Sequence, residues 1–235
     1  MKPKGEVSVN KGTLYGVSVG PGDPEHITLK AYHTLLSCPV IAAPQTRGEK
    51  AMALDIASHV IDLQEKKIIF LDFLMSSDRE LLTQSHREQA EKLRHSLDSG
   101  LDVAMLNLGD ASLYGTFSYI KEIVTDWGYK TETIPGVTSF SAVAAALNTN
   151  LVEMKKPLHI FPAYHSDLEK ALSLDGSKVL MKSGSMLGEV KRCIQKHGLS
   201  ASLVANCGWK DERIFPDINE ASDEEGYFVT ILVKD

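Results

Sequence analysis

Three short segments hold the residues best placed to do chemistry: Gly20-Pro21-Gly22-Asp23-Pro24, Leu108-Gly109-Asp110 and Pro135-Gly136-Val137-Thr138-Ser139. Each follows a run of β character, Thr13 to Val19, Asp102 to Leu106 and Lys130 to Ile134 respectively. Glycine reaches backbone angles that other residues avoid, and its missing side chain lets a ligand approach the main chain. Open α/β sheets bind ligands outside the carboxyl ends of their strands. Breaks of this kind after three strands of one sheet therefore predict a ligand cradle built largely from backbone. Each segment also has a local explanation. Pro-Gly pairs punctuate ordinary turns. Asp110 can cap a helix beginning near Leu113, and Thr138 with Ser139 can cap the alanine-rich run that follows. The local explanations do not account for glycine-bearing breaks at equivalent strand ends.

Other chemistries are poorly supplied. The spacing G-x-G-x-x-G would need a glycine at Glu25, and no G-x-x-x-x-G-K-[ST] occurs, so neither a dinucleotide fingerprint nor a phosphate loop is present. His86 shares an apolar stripe with Leu82, Ala90, Leu93 and Leu97, which suits a packed or interfacial ring. His26, His33, His159 and His165 lack the spacing of a metal site, so no metal is expected. Cys38, Cys193 and Cys207 are odd in number and far apart, which suits reduced thiols better than a disulfide framework or a zinc site. No Ser-His-Asp or Cys-His arrangement can be named. If there is a reaction, its nucleophile is expected to come from the substrate.

The elements that must position these segments alternate. Strand patterns at Thr13 to Val19, Val40 to Ala43, Lys67 to Leu71, Asp102 to Leu106 and Lys130 to Ile134 are separated by helical ones at Thr28 to Leu36, Lys50 to Val60, Asp78 to Asp98 and Tyr114 to Asp126. This alternation predicts a mainly parallel sheet with helices on its faces. After the helix at Ser139 to Leu147 the pattern changes to strands at Leu158 to Phe161, Lys178 to Met181, Ser202 to Ala205 and Tyr227 to Val233, with helices at Leu168 to Leu172 and Met186 to Lys196. The expectation is an α/β protein of two domains, 1–135 with a mainly parallel sheet and 136–235 with a mixed one. Asp223-Glu224-Glu225 reads as a solvated loop.

With 235 residues, 43% hydrophobic and 24% charged, the chain has the balance of a soluble globular protein. A net charge of −6 disfavours nucleic-acid binding, whose phosphates demand a basic surface. Any anionic substrate must be met by local cations. No apolar run matches a signal peptide or a membrane span, so a cytoplasmic protein is expected.

Taken jointly, the motifs resemble one family over nearly the whole chain. Gly16 to Pro24 (GVSVGPGDP) followed by Thr28-Leu29-Lys30-Ala31, then Leu108-Gly109-Asp110 and Pro135 to Phe140 (PGVTSF), are similar to the tetrapyrrole methyltransferases of the corrin and sirohaem pathways. Asp110 to Tyr119 (DASLYGTFSY) and Thr133 to Ala142 (TIPGVTSFSA) most resemble the enzymes that methylate carbon 20 of precorrin-2 or its cobalt-containing counterpart, cobalt-factor II. The resemblance implies S-adenosylmethionine as methyl donor, no protein-bound metal, a homodimer, and a cofactor cleft between two α/β domains. It carries Pro21, Gly109, Asp110, Leu113, Thr138, Ser139 and Met181 over as donor contacts, together with Cys207 and Gly208 of the Asn206-Cys207-Gly208 loop and Thr230. It names no catalytic base. Arg47, Lys50, Lys155, Lys156, Lys182, Lys210 and Arg213 are candidates to meet the substrate's peripheral carboxylates.

There are two departures from the family pattern. Ala111 stands where proline usually follows Gly-Asp, which bears on the rigidity of that loop. Pro44 stands where the uroporphyrinogen-methylating relatives carry an aspartate after the second strand, which argues against that substrate. The alternatives are another C-methyltransferase of the family, acting on uroporphyrinogen III or at C-11 or C-17, and, from a different class, a non-catalytic nucleotide or tetrapyrrole carrier.

Overall fold

The computed structural model describes residues 10–46, 51–153, 155–165 and 167–234. The chain divides into two compact units, one of the described residues of Met1–Gly20 with Pro24–Val137, the other of Pro21–Asp23 with Thr138–Asp235.

The first unit contains β1 (Thr13–Ser18), α1 (Leu29–Ser37), β2 (Val40–Thr46), α2 (Met52–Ser58), β3 (Lys67–Phe73), α3 (Arg79–Asp98), β4 (Val103–Asn107), α4 (Phe117–Asp126) and β5 (Lys130–Ile134). Its strands run in the order β3-β2-β4-β1-β5, and every pairing is parallel. Thr28 and Asp78 cap α1 and α3, the Asp78 carboxylate accepting the Glu80 and Leu81 amides at 2.9 and 3.2 Å. β4 is buried at every position, as a central parallel strand covered on both faces should be. Met105 of β4 packs in one core with Leu93 and Leu97 of α3 and Phe117 and Ile120 of α4. Burying each such side chain contributes about 1.5–3 kcal/mol. The order places the carboxyl ends of β4, β1 and β5 side by side, so the three glycine-bearing breaks emerge from neighbouring strands.

The second unit contains α5 (Ser139–Ala146), β6 (Leu158–Pro162), α6 (Leu168–Leu172), β7 (Ser177–Met181), α7 (Leu187–Lys196), β8 (Ser200–Ala205), β9 (Arg213–Phe215) and β10 (Val229–Lys234). The sheet order is β6-β7-β10-β8-β9, with only β6 and β7 parallel. Leu187, Val190 and Ile194 of α7 and Leu168 and Leu172 of α6 pack with Leu180, Leu203 and Ile231 of the sheet.

Four expectations are corrected. The helix expected from about Leu113 begins at Phe117, because Asp110 spends its carboxylate on Ser112 and Gly136 instead of capping a helix. β2 runs through Pro44, paired with Leu71, to Thr46, so Pro44 is not the residue that follows the strand. β4 pairs with β2 only as far as Ala42, so beyond that point β2 has a neighbour on one side and a residue without an N–H is tolerated. Whatever follows Thr46, including Arg47 and Lys50, lies outside the described residues. β9 was not expected, since Arg213–Phe215 is too short and exposed to show a period. Glu225 is not solvated: it is buried, accepts the Ser222 amide at 3.0 Å and pairs with Arg213 at 2.6 Å.

Candidate functional site

In the first unit the ends of β1, β4 and β5 are laced together by main chain. Gly20 and Gly109 form an isolated antiparallel bridge, each amide donating to the other's carbonyl, at 3.3 and 2.8 Å. Gly20 needs its positive φ of 77°, and a Cβ there would lie 2.8 Å from that of His26. Ser18, fully buried, donates its hydroxyl to the Ile134 carbonyl at 2.7 Å and accepts the Ala111 amide at 2.9 Å. One hydroxyl thereby joins β1 to the loops after β4 and β5. Sequence reasoning missed Ser18. The available signal was a lone hydroxyl between Val17 and Val19 at the end of an apolar strand.

Asp110 completes the lacing. Its Oδ2 accepts the Gly136 amide at 2.7 Å, and its Oδ1 accepts the Ser112 amide at 2.8 Å and the Ser112 hydroxyl. Burial works against its ionisation, but the Ser112 hydroxyl and the Gly136 and Ser112 amides outweigh it and hold the carboxyl below the ordinary range. Asp110 is thus a charged clamp between two loops. Gly109, at φ 71°, has nothing within 4 Å of the position a Cβ would take, so space adjoins its main chain.

In the second unit three features adjoin strand ends. Met181 of β7 and Thr230 of β10 face each other directly in register. After Met181 the chain turns left-handed at Lys182, φ 57°, a side chain whose ammonium burial holds below its ordinary pKa. The turn after β8 is braced internally: Asn206 is left-handed at φ 52°, the Gly208 amide donates to Glu212 at 2.7 Å, and the Trp209 indole donates to the Pro21 carbonyl at 3.0 Å. Gly22 and Gly208 allow this close approach, since Cβ atoms there would meet the Cys207 carbonyl and the Asp23 amide at 2.4 and 2.5 Å. Trp209 also went unnoticed in the sequence, as a single aromatic in a loop has no distinguishing pattern.

Thr138 caps α5, its hydroxyl accepting the Ser141 amide at 3.4 Å. Ser139 beside it holds a buried hydroxyl oxygen with no partner among the described residues. Burying an unsatisfied hydroxyl costs roughly 1–3 kcal/mol, so this atom is suited to a ligand. Of the donor contacts carried over by resemblance, Gly109, Asp110 and Leu113 fall in the first unit and Pro21, Thr138, Ser139, Met181, Cys207, Gly208 and Thr230 in the second. Cys207 is no nucleophile, since burial and then the Glu212 charge push its thiol up to about 12. Arg213 is engaged by Glu225. His86 is packed, stacked on Tyr119 at 4.5 Å with burial lowering its pKa. All three cysteines are buried free thiols. No helix among the described residues is long and apolar enough to cross a membrane. The arrangement offers backbone donors and acceptors, hydroxyls and buried apolar walls, which can hold and orient a polar ligand.

Comparison with known proteins agrees. The family model described as tetrapyrrole (corrin/porphyrin) methylases matches residues 13–221. A probable cobalt-precorrin-2 C(20)-methyltransferase of Methanocaldococcus jannaschii is 33% identical, the match covering 86% of this chain and 85% of that one. The cobalt-precorrin-2 C(20)-methyltransferase of Salmonella typhimurium is 30% identical over 95% and 96% of the two chains. Among solved structures, the uroporphyrin-III C-methyltransferase of Thermus thermophilus complexed with S-adenosylhomocysteine shares the fold at a TM-score of 0.68, with 18% identity and coverage of 95% and 98%.

Proposed function

This chain belongs to the tetrapyrrole (corrin/porphyrin) methylases, and from that premise we propose that it transfers a methyl group from S-adenosylmethionine to carbon 20 of precorrin-2 or cobalt-factor II in cobalamin biosynthesis. The observation that carries this reading is the match, over nearly their full lengths, to two relatives bearing that activity in their names. The residues present suit the donor. Gly109 offers open main chain, Ser139 a buried hydroxyl in want of a partner, and Met181 with Thr230 a paired wall at a strand end.

When bound, S-adenosylmethionine supplies an electrophilic methyl group on a sulfonium. The protein's part is to hold and orient. The Gly20–Gly109 bridge, Ser18 and Asp110 fix the loops that present backbone groups, so little reorganisation remains at the moment of reaction. Alignment of this kind can supply roughly 7–11 kcal/mol of barrier lowering, sufficient where the substrate brings its own electron-rich carbon. Lys182, Lys155, Lys156 and Lys210 of the second unit are the cations proposed for the substrate's carboxylates. The same reading makes the protein a cytoplasmic homodimer.

The test is regiochemical. With donor labelled by carbon-13 in its methyl group, precorrin-2 and cobalt-factor II are each offered to the enzyme, and the product is read by mass spectrometry and NMR. A single label at carbon 20 is expected, with uroporphyrinogen III untouched. Comparing the metal-free and cobalt-loaded substrates identifies the natural one. Label on a pyrrole β-carbon, or efficient turnover of uroporphyrinogen III, would replace this reading by another activity of the family. Absence of any methyl transfer would favour a carrier.

A further inference from the structure

Away from the loops described above, the second unit brings together a thiol, an imidazole and a carboxylate that no step of methyl transfer uses. Cys193 and His197 lie one helical turn apart at the carboxyl end of α7, and Glu169 of α6 faces them. One ligating atom from each lies within 4.8 Å of the others. We propose that Cys193, His197 and Glu169 form a binding site for a soft divalent cation, with zinc the best match.

The spacing supports it: side chains four residues apart share one helix face, so Sγ and Nε2 converge without backbone change. Ligand atoms around a tetrahedral zinc, with bonds of about 2.0–2.3 Å, stand roughly 3.3–3.8 Å apart. His197 Nε2 and Glu169 Oε2 are 2.9 Å apart, so a small opening of two side chains admits the ion. Glu169 has 53% of its side chain exposed and His197 22%, which leaves an entry path and a fourth position for water. Cys193, 8% exposed, forms the floor.

Charge and ligand type agree with the geometry. A thiolate and a carboxylate neutralise a dication, the imidazole binds as the neutral ring, and the thiol proton passes to solvent. Sulfur and imidazole ligands select zinc over magnesium or calcium. Lys196 Nζ holds the other carboxylate oxygen, Oε1, at 2.7 Å, and so orients Glu169 as an outer partner of a ligand does. The carboxyl end of a helix also favours positive charge. The loop bearing Met181 and Lys182 precedes the opposite end of α7, a helix of ten residues or about 15 Å. The site is therefore assigned a structural role, pinning α6 to α7.

The test uses the full-length protein stripped with chelator, then titrated with cobalt(II), and with zinc(II) against a chromophoric indicator. One equivalent of cobalt should give a thiolate-to-metal charge-transfer absorption that zinc abolishes. Cys193→Ser should eliminate that absorption. His197→Gln and Glu169→Gln should each weaken zinc by at least roughly tenfold while circular dichroism remains unchanged. The proposal is overturned if the folded parent gives no such absorption, if the absorption survives Cys193→Ser, or if the His197 and Glu169 variants lower the melting temperature without altering zinc affinity. The last result would identify a purely hydrogen-bonded Lys196-Glu169-His197 network.

Discussion

At the strand ends of the first unit the loops after β1, β4 and β5 bond to one another, whereas in the second unit the loops after β7 and β8 bond to the start of β10. Around β1, β4 and β5 the Gly20 and Gly109 amides answer each other, the Ser18 hydroxyl serves two backbone groups, and both oxygens of Asp110 are occupied. In the second unit the loop after β8 is braced by Glu212, but the Ser139 hydroxyl is buried without a partner among the described residues. A parallel sheet presents adjacent carboxyl ends, so its loops can satisfy one another. Where a mixed sheet pairs strands antiparallel, the end of one strand lies beside the start of the next, and there the Asn206 amide after β8 donates to the Phe228 carbonyl before β10 at 2.9 Å. Spare hydrogen-bonding capacity occurs in both units: His26 Nδ1 of the first and the Ser139 hydroxyl of the second are buried without a partner among the described residues.

The largest expected effect tests how tightly the second unit is packed despite its unmatched groups. A Cβ at Gly184 would stand 1.5 Å from the Gly226 carbonyl oxygen, so Gly184→Ala should lose about 3 kcal/mol or more in denaturant unfolding. Next comes the clamp of the first unit. Asp110→Ala should cost about 1.5–3 kcal/mol, the range for hydrogen bonds to a charged group, and should weaken donor binding measured by calorimetry through the loosened loops. Because the Asp110 carboxyl titrates below its ordinary range, its contribution is fully present above the unfolded value of about 4 and is lost as pH falls through the folded value. Asp110→Asn should flatten that acid limb of the stability profile. An unchanged limb would mean that the lacing does not depend on this charge.

Two smaller effects sharpen the contrast. Gly109→Ala meets no atom, so it should cost only the left-handed backbone penalty of about 1–2 kcal/mol while donor affinity falls further. Ser139→Ala removes a hydroxyl that bonds to nothing in the described structure, so stability should hold or rise slightly. Donor affinity should drop by up to about tenfold, the worth of one hydrogen bond. A loss of stability in Ser139→Ala with no change in affinity would show that the hydroxyl belongs to the fold and not to the ligand.

The first unit was the more legible of the two in the sequence, for a physical reason. Parallel strands buried on both faces read as apolar runs, and their crossover helices carry caps such as Thr28 and Asp78, so β4 falls within a residue of its expected start and α3 begins where expected, while the edge strand β5 falls where expected without being apolar. The limits of β2 were less visible, because Pro44 signals a stop and only the pairing pattern reveals that β4 no longer runs beside it. In the second unit β9 is three residues long and β10 begins at Val229, two residues after Tyr227, where the sequence pattern opens the strand. Gly109 and Thr138 could be picked out because glycine and capping residues carry local meaning, whereas Asp110, which the sequence offers as a cap, clamps two loops instead. Ser18 and Trp209 could not be picked out, since their hydrogen-bond partners are distant in sequence.

Residues Pro21–Asp23 belong with the second unit although the chain on either side belongs to the first. The hydrogen bond from Trp209 to the Pro21 carbonyl spans 188 positions, and the fit of Gly22 under Cys207 spans nearly as many. Contacts so remote are slow to close, since the loop entropy must be met before they reward it. During synthesis the early turn after β1 must therefore wait, held by its bridge to Gly109, until nearly the whole polypeptide has emerged. A chain truncated before Cys207 would leave that turn without its partner.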